Sequence, residues 1–207
     1  MKQLRLEECL VPRERPQYLL CIDPGVRNMG LALVAVSAGE FLLQAASCTD
    51  ITIFPCTGTK CSLRHEAMMT DWVLHFIQAN QKLFDAADVI LLERQPPCGF
   101  RCCEQLLFSQ FRDKVQLIHP RSLHCFFSMS KLSYDGRKLH SVRLGERYYR
   151  RNDILATALQ KTRAHDICDA MLMAVYYTKT RAQKAVRDVT LDVETANFFD
   201  QFYYNKG

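Results

Sequence analysis

Apolar residues gather in short uninterrupted blocks at 18–23 (YLLCID), 30–36 (GLALVAV) and 88–93 (DVILLE), bounded by Pro24-Gly25, Gly39 and Pro96-Pro97. Blocks of this length between turn residues predict buried strands. Residues 41–53 form a weaker third strand region, and the first three read as an antiparallel meander. Residues 115–119 predict a fifth strand, stopped by Pro120. Met69, Trp72, Val73, Phe76 and Ile77 recur at helical spacing, so a helix is expected over 63–84, after a loop at 55–61. Helices are also expected over 100–111 and 141–160. Residues 164–177 are apolar nearly all round, apart from His165, Asp166 and Asp169, and predict a helix packed in the core. Strands thus alternate with helices only after an opening meander, which predicts an α/β fold with a mixed five-stranded sheet and helices on both faces. Residues 1–16 read as a polar tail, 17–187 as the globular domain, and 188–207 as an acidic, aromatic appendage containing Phe198, Phe199, Phe202, Tyr203 and Tyr204.

A length of 207 residues suits one domain with a sizeable core, without disulfide or metal staples. No apolar run approaches a membrane span, and no membrane association is expected. The first 16 residues carry Glu7, Glu8 and Glu14 and lack an apolar signal core, so an intracellular protein with reduced thiols is expected. Of the ten cysteines, Cys21 and Cys125 lie in apolar runs and read as small core residues. Cys56, Cys61, Cys98 and Cys102 form two loose pairs that would make a zinc site only with unusual spacing.

The formal charge of +5 is distributed unevenly. Residues 1–111 sum to −2, residues 112–187 to +10 and residues 188–207 to −3. The densest stretch holds Lys131, Arg137, Lys138, Arg143, Arg147, Arg150 and Arg151, interleaved with Tyr134, Tyr148 and Tyr149. Cations held near a phosphate backbone release counterions, and aromatics stack on exposed bases. The alternative is a solvated basic helix face.

Four carboxylates lie against strongly apolar sequence. Asp23 ends the first strand and Glu93 the fourth, while Asp166 and Asp169 share one helix face. Each has a local alternative: a turn residue for Asp23, an arginine partner for Glu93 (Arg94 or Arg101), a helix N-terminus for Asp166. Asp169, surrounded by apolar residues, is hardest to explain locally. Buried carboxylates need a cation, a metal or hydrogen bonds. An oxygen-only set suits Mg²⁺, with Mn²⁺ able to substitute, and two such ions support phosphodiester hydrolysis.

The run Cys21-Ile-Asp-Pro-Gly-Val-Arg-Asn-Met-Gly-Leu-Ala resembles the first motif of RuvC-like Holliday junction resolvases, and Ile90-Leu-Leu-Glu-Arg-Gln-Pro resembles the second, in wording similar to the poxvirus branch. Asp166-Ile-Cys-Asp-Ala resembles their closing helix motif, and Ser133-Tyr-Asp-Gly-Arg-Lys-Leu-His-Ser-Val the basic linker of the poxvirus enzymes. The resemblance spans residues 18–177. It implies an RNase H-like fold and a catalytic, metal-binding set of Asp23, Glu93, Asp166 and Asp169 holding two Mg²⁺ per active site. It also implies a homodimer that resolves four-way DNA junctions by paired symmetric nicks, leaving 5′-phosphate and 3′-hydroxyl ends. Lys138, the best candidate by position, with Lys131 second to it, would stand near the scissile phosphate, and Gln95 would touch DNA. A viral member would work where viral DNA is replicated or packaged. The loop with Cys56 and Cys61 and the C-terminal appendage depart from the family pattern, and His165 is an alternative ligand beside Asp166. Another RNase H-like nuclease, a non-catalytic nucleic-acid binder and a zinc-stabilised interaction protein are the rival readings.

Overall fold

The computed structural model of the chain describes residues 15–53 and 68–204, with side chains through residue 184. Most of the N-terminal tail, the 55–61 loop, the start of the 63–84 helix, and Cys56 and Cys61 lie outside the described residues.

The elements run β1 (Gln17–Asp23), β2 (Met29–Ser37), β3 (Glu40–Thr49), α1 (Met69–Ala79), α2 (Gln81–Ala86), β4 (Val89–Glu93), α3 (Arg101–Gln110), β5 (Val115–Ile118), α4 (Pro120–Phe126), α5 (Tyr134–Tyr148), α6 (Asp153–Leu159) and α7 (Ala164–Tyr204). The sheet is five-stranded in the order β3-β2-β1-β4-β5. β1, β2 and β3 pair antiparallel, whereas β4 lies parallel to β1 and β5 parallel to β4. The meander turns between β2 and β3 at Ala38 (φ 49°) and Gly39 (φ 81°), a two-residue reversal in left-handed backbone.

Central strands are apolar throughout because both faces are covered. Along β1, Leu19 and Cys21 pack with residues of α4 to α7, while Leu20 and Ile22 pack with α1, α2 and α3. β4 alternates in phase, with Leu91 on the α7 side and Ile90 and Leu92 on the other. This alternation sends the next residues, Asp23 and Glu93, to the α7 face. α7 carries the apolar load there: Ile167, Cys168 and residues 170–175 are each at most 1% exposed.

Three expectations need correction. Residues 141–160 are not one helix. α5 already starts at Tyr134, capped by the Ser133 hydroxyl, which accepts from the Gly136 N–H. It stops at Tyr149, whose extended backbone bridges Phe41 of β3 and whose hydroxyl donates to the Met171 carbonyl at 2.6 Å. Asn152 then caps α6 by accepting from the Leu155 N–H, and its amide donates to Leu43 O. Tertiary pairing with β3 thus overrides helical propensity. Second, the core helix does not end near Tyr177 but runs on to Tyr204, so the composition change near residue 188 falls within one helix. Third, Cys125 is exposed rather than a core residue. Among the described residues no helix is long and apolar enough to cross a membrane.

Tyr149→Phe removes the hydroxyl that ties the α5–α6 junction to α7. We expect it to lower unfolding stability by about 1 kcal/mol, read as a lower urea midpoint with an unchanged m value.

Candidate active site

The register across the sheet places Cys48, Gly30, Asp23, Glu93 and Ile118 in one transverse row, on β3, β2, β1, β4 and β5 respectively. The two acids thus sit side by side where parallel strands β1 and β4 end. Gly30 explains how α7 reaches them. A Cβ at this position would lie 2.7 Å from the Asp166 carbonyl oxygen and 3.3 Å from the Asp23 Cβ, so only glycine lets the first turn of α7 settle on the row. Asp166, in that first turn, and Asp169, one turn on, face the strand ends.

Burial is the largest influence on three of the four acids. It pushes Asp23 well above the usual carboxylate range, and the charges of Glu93, Asp169 and Asp166 push further; Arg163 acts in the opposite direction. Glu93 is raised to about 7, by burial and then by Asp169, against a hydrogen bond from Gln95. Asp169 is raised to about 6 by burial and by Asp166, while the Ser141 hydroxyl, Arg137 and Lys138 favour its charged form. The Ser141 hydroxyl donates to Asp169 Oδ1 at 2.5 Å. Asp166 is held differently, by the guanidinium of Arg163, with His165 Nε2 3.2 Å from Oδ1 and Cys48 Sγ donating to Oδ2 at 3.6 Å. Burial lowers the pKa of His165, and Lys138 and Arg163 lower it further, against the pull of Asp166.

The structure divides the basic run. Arg137 and Lys138, on the first turns of α5, are near enough to act on Asp169. The Lys138 ammonium also lies 4.0 Å from the centre of the exposed Tyr134 ring. Lys131, Arg143, Arg147, Arg150 and Arg151 are exposed, and no direct contact with the carboxylates accompanies them. Of the three interleaved tyrosines, Tyr149 is buried and Tyr148 packs on Phe127; Tyr134 alone is freely exposed. Gln95 turns its amide toward Glu93 Oε1 at 3.5 Å, and its backbone N–H is held by buried Glu104 of α3. The candidate zinc thiols Cys98 and Cys102 are exposed.

Sequence reading missed Gly30, Ser141, Cys48, Glu104 and Arg163. Only Arg163 carried a local signal, its placement three residues before Asp166, just ahead of the first turn of α7.

The donor chemistry fits hard divalent cations. Four carboxylates meet, burial and neighbouring carboxylates raise the proton affinity of three of them, and all offer oxygen. Among the described residues the side chains are not closed around a metal position as they stand.

A family model described as Poxvirus A22 protein matches residues 17–181. The chain belongs to that family. This agrees with the wording of the Glu93 motif. No curated protein matches the chain by sequence. Among solved structures, the yeast mitochondrial Holliday junction resolvase superposes with a TM-score of 0.61 at 17% identity, covering 93% of this chain and 87% of the other. The fowlpox virus resolvase, solved with its Holliday junction substrate, gives a TM-score of 0.56 at 17% identity, covering 79% and 98%. The same fowlpox virus resolvase without DNA gives 0.54 at 16% identity. At these identities the likeness establishes the fold, which is the RNase H-like mixed sheet expected from the sequence.

Raised carboxylate pKa values mean that the folded chain holds protons that the unfolded chain releases between about pH 4 and pH 7. Without metal, stability therefore falls as pH rises through that window. In EDTA we expect the melting temperature to drop from about pH 5 to pH 7.5. Added Mg²⁺ should restore it at the higher pH and do little at the lower. A Mg²⁺ response equal at both pH values would contradict the assignment.

Proposed function

We propose that this chain is a structure-selective DNA endonuclease that resolves four-way junctions. Membership of the poxvirus A22 family supports this reading, and so does the fold shared with the yeast and fowlpox Holliday junction resolvases. The observation that carries it is local: four carboxylates converge at the ends of β1 and β4 beneath α7, with Lys138 and Arg137 alongside.

In this reading Asp23, Glu93, Asp166 and Asp169 hold two Mg²⁺ ions, replaceable by Mn²⁺. When bound, the ions supply Lewis acidity and an activated water for in-line attack on phosphorus, leaving a 5′-phosphate and a 3′-hydroxyl. The chain's own groups prepare the rest. Asp23 occupies the centre of the row and faces the other three acids. Ser141 fixes the Asp169 carboxylate through its short hydrogen bond. Lys138 and Arg137 offset the charge that grows on the phosphoryl oxygens. Gln95 keeps Glu93 oriented and faces DNA with its remaining polar atoms. His165, less basic than a free imidazole, stays beside Asp166 as a neutral neighbour.

Exposed Lys131, Arg143, Arg147, Arg150 and Arg151 would hold the junction arms through phosphates, so recognition reads shape more than sequence. Paired nicks on opposing strands call for two sites, hence a homodimer. In a viral setting the enzyme would work where viral DNA is replicated or packaged. A different RNase H-like specificity, for hybrids or flaps, is the rival outcome.

The test is Mg²⁺-dependent cleavage of a synthetic four-way junction, mapped on all four strands beside duplex, flap and hybrid controls. We expect symmetric nicks in the junction alone. Asp23→Asn should lower the cleavage rate by at least about a thousandfold, the scale of losing a catalytic metal ligand, and leave junction binding intact. Cleavage near the wild-type rate in this variant would remove Asp23 from the chemistry.

A further inference from the structure

Arg163 lies outside the motifs, yet its guanidinium makes a forked contact in the site. Nε donates to Asp166 Oδ2, and Nη2 lies 3.3 Å from Oδ1. Cys48 Sγ also donates to Oδ2, so both oxygens of Asp166 already face protein donors, while His165 Nε2 lies 3.2 Å from Oδ1 without a hydrogen bond. Among the described residues Asp166 alone of the four acids has an arginine or lysine ion-pair partner. The same guanidinium acts on Asp23 and Cys48 and is influenced by Tyr134 at the rim.

Each carboxylate oxygen keeps a second lone pair, but the guanidinium fork covers the edge of the carboxylate and its positive charge repels a divalent ion placed there, so guanidinium and divalent ion compete for Asp166. The pair is also asymmetric. Asp166 is 12% exposed and fixed on α7, whereas the Arg163 side chain is 41% exposed and precedes the helix. Arg163 can therefore leave toward solvent while Asp166 cannot. Its planar fork binds a phosphate as readily as a carboxylate; Tyr134, which acts on Arg163, carries Lys138 against its ring, and Lys138 and Arg163 both act on His165.

We propose that Arg163 is an exchangeable counter-cation. In the free protein it occupies Asp166; when DNA arrives it moves to a backbone phosphate and frees Asp166 for a divalent ion. The inference rests on Asp166 being a metal ligand, as proposed above. Metal and DNA then strengthen one another's binding, because each removes a competitor of the other.

Arg163→Met separates this role from a structural one, because the two equilibria should move in opposite directions. Mn²⁺ binding to the DNA-free protein, followed by electron paramagnetic resonance, should tighten by about fivefold, the scale of a part-exposed ion pair. Junction binding in EDTA, where no cleavage occurs, should weaken, with a log–log salt slope smaller by about one. Arg163→Lys should fall between wild type and Arg163→Met in both. Unchanged or weaker Mn²⁺ binding, or junction binding that does not fall, overturns the exchange. Asp166→Asn identifies which reading has failed. If it leaves Mn²⁺ affinity unchanged, Asp166 is no ligand and the metal assignment itself is wrong. If it weakens Mn²⁺ binding while Arg163→Met leaves both equilibria unchanged, only the exchange is wrong.

Discussion

Mutual repulsion among carboxylates held in an apolar setting is the constraint on which the rest of this structure depends. Strands buried on both faces bring Asp23 and Glu93 to the edge of the core, and a helix buried almost all round brings Asp166 and Asp169 against them. In water such charges would be screened. Here burial and proximity raise three of them, and the compensating groups are the Ser141 hydroxyl, Arg137 and Lys138 toward Asp169, the Gln95 amide on Glu93 and the Arg163 guanidinium on Asp166. A site that crowds carboxylates in this way favours uptake of a proton or a cation.

The backbone makes this concentration possible. Asp23 and Glu93 are neighbours because β1 and β4 run parallel and end together. α7 reaches them because Gly30, opposite Asp23, presents no side chain to its first turn. Glu104, buried on α3, holds the backbone of the loop that follows Glu93. Covering helices on both faces therefore set the floor and one wall of the site, and the early turns of α5 add cations at its rim.

Much of this was legible in the sequence because burial leaves a plain mark. Fully apolar blocks gave the strands, and the acid at the end of each block, together with Asp166 and Asp169 on one helix face, gave the carboxylates. Tertiary relations left no such mark. The break at Tyr149 arises from pairing with Phe41, over a hundred positions away. Gly30 counted only as the first residue of an apolar block, and in the fold it is the strand residue that leaves room for the approach of a helix. Cys48 entered the site through β3 register alone, and Cys125, in an apolar run, is exposed. Composition likewise overstated the aromatic part of the basic run, since Tyr149 fills the core.

The basic segment thus has two parts with different physical duties. Arg137 and Lys138 share the field of the carboxylates, while the exposed arginines farther along form a surface whose attraction for phosphate is long-ranged and salt-sensitive. The first duty depends on cations completing the carboxylate cluster; the second does not. The most direct check is anomalous diffraction from a crystal soaked in Mn²⁺. The account predicts anomalous peaks within ligand distance of Asp23 and of Glu93, Asp166 or Asp169. Peaks elsewhere only, or an empty cluster at saturating Mn²⁺, would contradict it.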